Sequence, residues 1–240
     1  MSVLVVTGTC TGVGKTIVTA ALAALAAARG TGVAVVKPGQ TGVGPDEPGD
    51  LDEVRRLAGI DDLHEFARFP DPLSPAAAAR RAGLPPPRLA DAADRIRDLS
   101  RTRGLVLVEG AGGLLVRYDD EGTTLADLAR WIGAPAVVVA RPDLGTLNHT
   151  ALTLEAMAHR GVQLAGVVLG EWPEEPGLAM RSNIRDLETI AARPLAGAMP
   201  AGAGALDPAE FLLAAHRALA PPFGGSFDPA AFRDAHGVLP

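Results

Sequence analysis

Residues Gly8-Thr9-Cys10-Thr11-Gly12-Val13-Gly14-Lys15-Thr16 stand between a short β-branched run, Val3 to Thr7, and an Ala-rich stretch, Thr16 to Arg29. A strand that feeds a glycine loop and then a helix constrains the fold more than any other feature of this chain. It leaves unpaired N–H groups at the start of the helix, and the glycines let that backbone approach an anion closely. In such a loop Gly12, Val13 and Gly14 cradle phosphates, Lys15 reaches the β- and γ-phosphates, and the Thr16 hydroxyl lies on a metal. The strict pattern has four residues between its two glycines. Here five separate Gly8 from Gly14. The bland alternative is a glycine-rich turn before a helix, and the strand, loop and helix around Gly-Lys-Thr argue against it. Cys10 reads as a small residue in a tight loop, with no redox role.

The same grammar recurs downstream: a β-branched run, a glycine-rich turn, then an Ala/Leu-rich helical stretch. Strands are expected at Val33 to Lys37, Leu105 to Glu109, Ala136 to Ala140, Leu164 to Leu169 and Leu195 to Met199. Helices are expected at Leu51 to Leu57, Pro75 to Ala82, Leu125 to Trp131, Leu147 to Arg160, Gly177 to Ala192 and Pro208 to Ala218. Continuous apolar strands alternating with helices predict an α/β fold, a parallel sheet covered by helices on both faces. Ligands in such sheets bind beyond the carboxyl ends of the strands. The loops after Thr7, Val36, Val108, Ala140, Leu169 and Met199 are therefore the ones that carry function. Residues 1–220 fit one α/β domain, and the Pro/Gly-rich tail 221–240 carries no assignment.

Composition narrows the function classes. A net charge of −6 with no Lys/Arg run excludes phosphate-backbone binding, so no nucleic-acid partner is expected. The run from Ile17 to Ala28 is too short to cross a bilayer, and the amino end has no basic n-region. A single cysteine fits a reducing compartment. Together these point to a cytoplasmic protein with no membrane role. Only 4% of residues are aromatic, so a core of many small aliphatic contacts is expected, with helices packed closely on the sheet.

Magnesium takes oxygen ligands, usually one or two carboxylates together with phosphate oxygens and water. Glu109 ends an apolar strand and precedes Gly110-Ala111-Gly112-Gly113, where it is well placed for a metal. Asp50 and Asp52 both open a helix, where capping is the ordinary role of an acid. Lys37, in Val36-Lys37-Pro38, either snorkels to solvent or stabilises an anionic intermediate at the active edge of the sheet. In Asp143-Leu144-Gly145-Thr146-Leu147-Asn148-His149, the helix start is suited to a carboxylate, while Thr146 or Asn148 is equally suited to plain capping. The five histidines show no zinc-type spacing.

Taken together, the loop at 8–16, Lys37-Pro38 with Thr41-Gly42, Val108 to Gly113 and Leu144 to His149 resemble the dethiobiotin synthetases, over residues 1 to about 218. The resemblance implies a phosphate-loop NTPase architecture, Rossmann-like, and a homodimer with the diamine site near the subunit interface. It implies ATP as co-substrate, Mg2+ as cofactor, and 7,8-diaminopelargonate and CO2 or bicarbonate as small-molecule partners. A carbamate would form on one amine, take the γ-phosphoryl group and close to the ureido ring of dethiobiotin. Lys15, Lys37 and Thr11 would be catalytic, and Thr16, Asp50 and Glu109 would hold the metal. Thr41, Gly112 and the run Gly145, Thr146, Leu147, Asn148 would hold the diamine and its carboxylate tail. The base would lie against Gly170, Pro200, Ala201 and Gly202, where other members of the family place an Asn instead of Gly170. Backbone contacts alone imply permissive base choice.

A partition or cell-division switch ATPase is the nearest rival, but the position of its signature lysine holds Cys10. A GTPase would need an Asn-Lys-x-Asp motif, which is absent. Related amide-forming synthases usually add a glutaminase domain, for which 240 residues are too few.

Overall fold

The computed structural model describes residues 3–238. In chain order the elements are β1 (Val3–Gly8), α1 (Lys15–Ala28), β2 (Val33–Lys37), β3 (Gln40–Thr41), α2 (Asp50–Ala58), β4 (Leu63–Glu65), β5 (Arg68–Phe69), α3 (Pro75–Ala82), α4 (Leu89–Ser100) and β6 (Leu105–Gly113). There follow α5 (Leu125–Ile132), β7 (Ala136–Ala140), α6 (Thr146–His159), β8 (Leu164–Trp172), α7 (Leu178–Ala191), β9 (Gly197–Pro200), α8 (Pro208–Ala218) and α9 (Pro229–His236). Among the described residues seven strands form one sheet in the order β4-β2-β6-β1-β7-β8-β9. Every pairing within it is parallel. The expected α/β architecture is the one observed.

Successive side chains of a strand point to opposite faces, and the sheet divides its apolar residues accordingly. Val5, Ala34, Val36, Val106, Val108, Val138 and Leu169 face the layer of α4, α5, α6 and α7. Leu4, Val6, Val33, Val35, Leu107, Val137, Val139 and Val168 face the layer of α1, α2 and α8. Both faces are buried, so each strand reads as an unbroken apolar run rather than an alternating one. Helix α1 sits centrally and buries Ala20, Ala21, Ala23, Ala24 and Ala26. Side chains this small let its axis lie close to the sheet, which holds the loop before it against the strand ends.

Most bounds shift by one or two residues, two strands run on further, and the unassigned tail holds a helix. Strand β6 continues past Glu109 to Gly113, with a register shift where Gly8 meets Gly113. Strand β8 likewise runs past Leu169 to Trp172. The tail contains α9, whose Phe232 and His236 pack around Trp172, with ring centroids 5.0 and 5.6 Å from the indole. Arg233 ties α9 to Glu188 of α7 at 2.6 Å. No helix among the described residues is long and apolar enough to cross a membrane.

Candidate active site

Strands β1, β6 and β2 are neighbours, so their carboxyl ends deliver three segments to one place. The loop after β1 brings Lys15 and Thr16, β6 brings Glu109, and β2 brings Lys37. Val36 pairs with Val108, which sets Lys37 beside Glu109 on the adjacent strand. The cavity above them has a volume of about 600 Å³. Thr11, Gly12, Gly14, Lys15, Thr16, Lys37, Thr41, Asp50, Glu109 and Gly112 line it, which is most of the residues the sequence singled out.

Glu109 is fully buried, and its two oxygens are treated unequally. Oε1 accepts from the Thr16 hydroxyl at 2.9 Å and from Lys37 Nζ at 2.8 Å. Oε2 has no hydrogen-bond partner among the described residues. A buried carboxylate oxygen without a donor is costly, and a hard cation is the species that suits it. Thr16, Glu109 and Asp50 supply oxygens beside the phosphate loop, so the donor set fits magnesium.

The structure separates the two candidate acids of α2. Asp52 accepts from the Gly49 N–H at 2.8 Å and pairs with Arg55 at 2.9 Å, closing the helix start. Asp50 turns inward and bonds Lys37 Nζ. Gln40, which the sequence reading did not single out, fixes this arrangement. It is buried and its Oε1 accepts from the Asp50 N–H at 3.0 Å. A polar residue beside Thr41, in a segment approaching the cavity, is the signal that would have found it.

Lys37 therefore does not snorkel. Burial works against its charge, but the Glu109 and Asp50 carboxylates outweigh burial and raise its pKa above the ordinary lysine value. Burial likewise works against the Asp50 carboxylate, and the Lys37 ammonium overcomes it and lowers the Asp50 pKa. Lys15 is lowered, first by burial and then by repulsion from Lys37; its Nζ donates to the Cys10 carbonyl at 3.3 Å. Tyr118, also missed in the sequence, is fully buried, and its hydroxyl accepts from the Ala111 N–H at 2.8 Å. It braces the glycine-rich end of β6 against the cavity.

A second cavity of about 500 Å³ opens on the other side of the loop, lined by Gly12, Val13, Gly14, Arg141, Gly170, Pro200 and Gly202 among others. Ala201 lies beside it, its N–H donating to the Trp172 carbonyl at 2.8 Å. A Cβ at Gly170 would lie 1.8 Å from the Val13 carbonyl oxygen, and one at Gly14 would lie 2.7 Å from the Gly170 oxygen. The phosphate loop is thus seated directly on β8, and no side chain fits at 170.

Gly145, Thr146, Leu147 and Asn148 are not brought to either cavity's lining. Gly145 caps α6, Thr146 is buried, and Asn148 is exposed. Neither Thr146 nor Asn148 makes a side-chain cap bond, so the plain capping role is not the one observed.

A family model described as an AAA domain matches residues 2–206. The ATP-dependent dethiobiotin synthetase BioD of Parafrankia sp. (strain EAN1pec) is 65% identical over 238 residues, covering 99% of this chain and 100% of that one. The chain belongs to the dethiobiotin synthetase family. The ATP-dependent dethiobiotin synthetase BioD of Streptomyces coelicolor (strain ATCC BAA-471 / A3(2) / M145) is 56% identical over 237 residues, covering 99% and 100%. Among solved structures, the cell division ATPase MinD of Pyrococcus furiosus aligns with a TM-score of 0.52 at 20% identity, over 83% of each chain. Chloroplast FtsY from Physcomitrella patens aligns with a TM-score of 0.53 at 19% identity, over 89% of this chain and 64% of that one. At such identities the likeness is one of fold. It agrees with the phosphate-loop architecture, and the synthetase family is decided by the closer relatives.

Proposed function

We propose that the chain closes the ureido ring of dethiobiotin from 7,8-diaminopelargonate and CO2, with ATP as phosphoryl donor. The observation that carries this reading is the placement of Lys37. It is a buried ammonium held between Asp50 and Glu109, a hydrogen bond away from the acid that also binds the phosphate-loop Thr16. A cation at that point serves an anionic acceptor lying against the terminal phosphate, which a carbamate is.

Thr16, Glu109 and Asp50 are the residues that would hold magnesium. When bound, the ion neutralises phosphate charge in the way that phosphoryl transfer requires. The backbone N–H groups of Gly12 to Thr16 and the Lys15 ammonium bind the triphosphate and orient its terminal phosphorus. One amine of the diamine adds to CO2 and loses a proton, giving a carbamate that Lys37 stabilises. The carbamate oxygen attacks the γ-phosphorus as the bond to ADP breaks. The second amine then attacks the carbonyl carbon, loses its proton and expels phosphate. Thr11 and Thr41 place hydroxyls along this path, and Gly112 leaves room for the diamine. Transfer of this kind depends chiefly on position and charge, so the site needs no nucleophilic side chain.

The amino end of α6, Gly145 to Asn148, would receive the carboxylate tail of a diamine bound by the partner in a homodimer. The exposure of Gly145 and Asn148, beside Leu144 at 84% accessible, supports that role. With no side chain at 170, the base would be read by backbone alone, and other triphosphates are expected to compete with ATP.

The purified protein should release phosphate only when both diamine and bicarbonate are present. Equally fast steady turnover with nucleotide alone would sink the ligase reading and favour a switch ATPase.

A further inference from the structure

Arg141 is the first residue after β7, and no role was assigned to it from the sequence. Asn183 holds the backbone that follows it, donating to the Pro142 carbonyl at 2.8 Å and to the Asp143 carbonyl at 3.2 Å. Arg141 is exposed, but its Nη2 is turned back onto the phosphate loop and donates to the Gly12 carbonyl at 3.3 Å. Among the described residues it forms no ion pair. Arg141 is the one cation lining the second cavity among the described residues, with Asp143 and Glu171 also at its wall. Lys15 lines the other cavity instead.

Gly12 and Gly14 line both cavities. A nucleotide with its base in the second cavity and its terminal phosphate in the first must cross the loop at those glycines. Its α- and β-phosphates then pass the carbonyl that Arg141 now contacts. A long hydrogen bond to a neutral carbonyl is weaker than the short, charge-assisted bond a guanidinium makes to phosphate. We propose that Arg141 is a nucleotide-binding residue, whose guanidinium exchanges the Gly12 carbonyl for the phosphates that are not transferred. The proposal rests on the nucleotide reading of the loop. Those phosphates stay on ADP, so the contact persists in the product complex, unlike contacts to the γ-phosphate.

The test is calorimetric binding of Mg-ADP to the full chain and to Arg141→Ala and Arg141→Lys, with thermal midpoints and diamine KM measured alongside. Arg141→Ala should bind ADP about tenfold more weakly, the scale of a lost charge-assisted hydrogen bond. Its ADP affinity should also fall less steeply with added salt. Arg141→Lys should recover part of the affinity, the midpoint should stay within about 2 °C of wild type, and the turnover defect should lie in the KM for ATP. ADP affinity within twofold of wild type in Arg141→Ala overturns the proposal. A lowered midpoint with a matching rise in diamine KM overturns it too, since Arg141 would then only brace the loop. Failure of the wild type itself to bind ADP would instead refute the nucleotide reading beneath it.

Discussion

Replacing Lys37 by Met keeps most of the side-chain volume and removes the charge, which isolates the electrostatics of the site. Lys37 is the ammonium that balances Glu109, whose side chain has no exposure at all, and Asp50, whose side chain is 35% exposed. Removing one partner from a buried ion pair costs about 3–5 kcal/mol, because the remaining charge is left uncompensated. Solvent shares the Asp50 carboxylate, so most of the cost falls on Glu109. For a chain of this size each kcal/mol moves the thermal midpoint by about 2–4 °C, so Lys37→Met should melt roughly 6–20 °C lower. Lys37→Met combined with Glu109→Gln removes both charges and should recover much of that loss, a coupling that a double-mutant cycle measures directly. The assay is differential scanning fluorimetry without ligand, checked by urea unfolding. A single variant that melts within 2 °C of wild type, or a double variant less stable than the single, refutes the buried pair. Turnover should vanish in both variants, and normal activity in Lys37→Met would remove Lys37 from the mechanism.

Gly170→Ala should force the phosphate loop off β8, because its Cβ would lie 1.8 Å from the Val13 oxygen; ADP binding should weaken at least tenfold by calorimetry. Tyr118→Phe should destabilise the chain by about 1–3 kcal/mol in urea unfolding, since it removes the acceptor of the buried Ala111 N–H. Asp62 is opposed by burial, but its bonds to Arg103 at 2.5 Å and His64 at 2.8 Å outweigh that and lower its pKa. A carboxylate lowered in this way stabilises the fold above its unfolded pKa of about 3.9, and the benefit disappears as pH falls through the folded value. Asp62→Asn should therefore be less stable than wild type at pH 7, with the gap closing towards pH 3.

What the sequence made legible was set by local rules. Pro75 to Ala82, Ala136 to Ala140 and Pro208 to Ala218 were bounded correctly because Ser74 and Asp207 cap their helices and β7 is a clean apolar run. Helix α4 is not among the expected helices, although Leu89, Ala92, Ala93, Ile96 and Leu99 bury one face at helical spacing; Asp and Arg fill most of the positions between them and Pro85-Pro86-Pro87 stands just before its start. Strands β3, β4 and β5 are two or three residues long, too short to show any period. Helix α9 is fixed by Trp172, some sixty residues earlier in the chain, a contact no local pattern announces. Around the site, the motif residues Lys15, Thr16, Lys37 and Glu109 were visible because each follows an apolar run or a glycine turn. The choice between Asp50 and Asp52 was not, since two acids in one helical turn differ only in where α2 points them.

The charges in the larger cavity make sense only as a set. Lys15 and Lys37 carry two positive charges, and Asp50 and Glu109 two negative ones, so the side chains of the cavity balance one another. A triphosphate would bring negative charge that Lys15 alone cannot offset, and a divalent cation held by Glu109 and Asp50 would supply the remainder. Asp50 and Glu109 already hold Lys37, so its ammonium would be released from them where the two acids served such a cation. On the proposed reading Lys37 would hold the acids together before binding and turn to an anionic acceptor afterwards, so that one buried lysine would serve both the stability of the site and the reaction. Strand β2 ends beside Glu109, and that register sets the buried Lys37 ammonium against the acid.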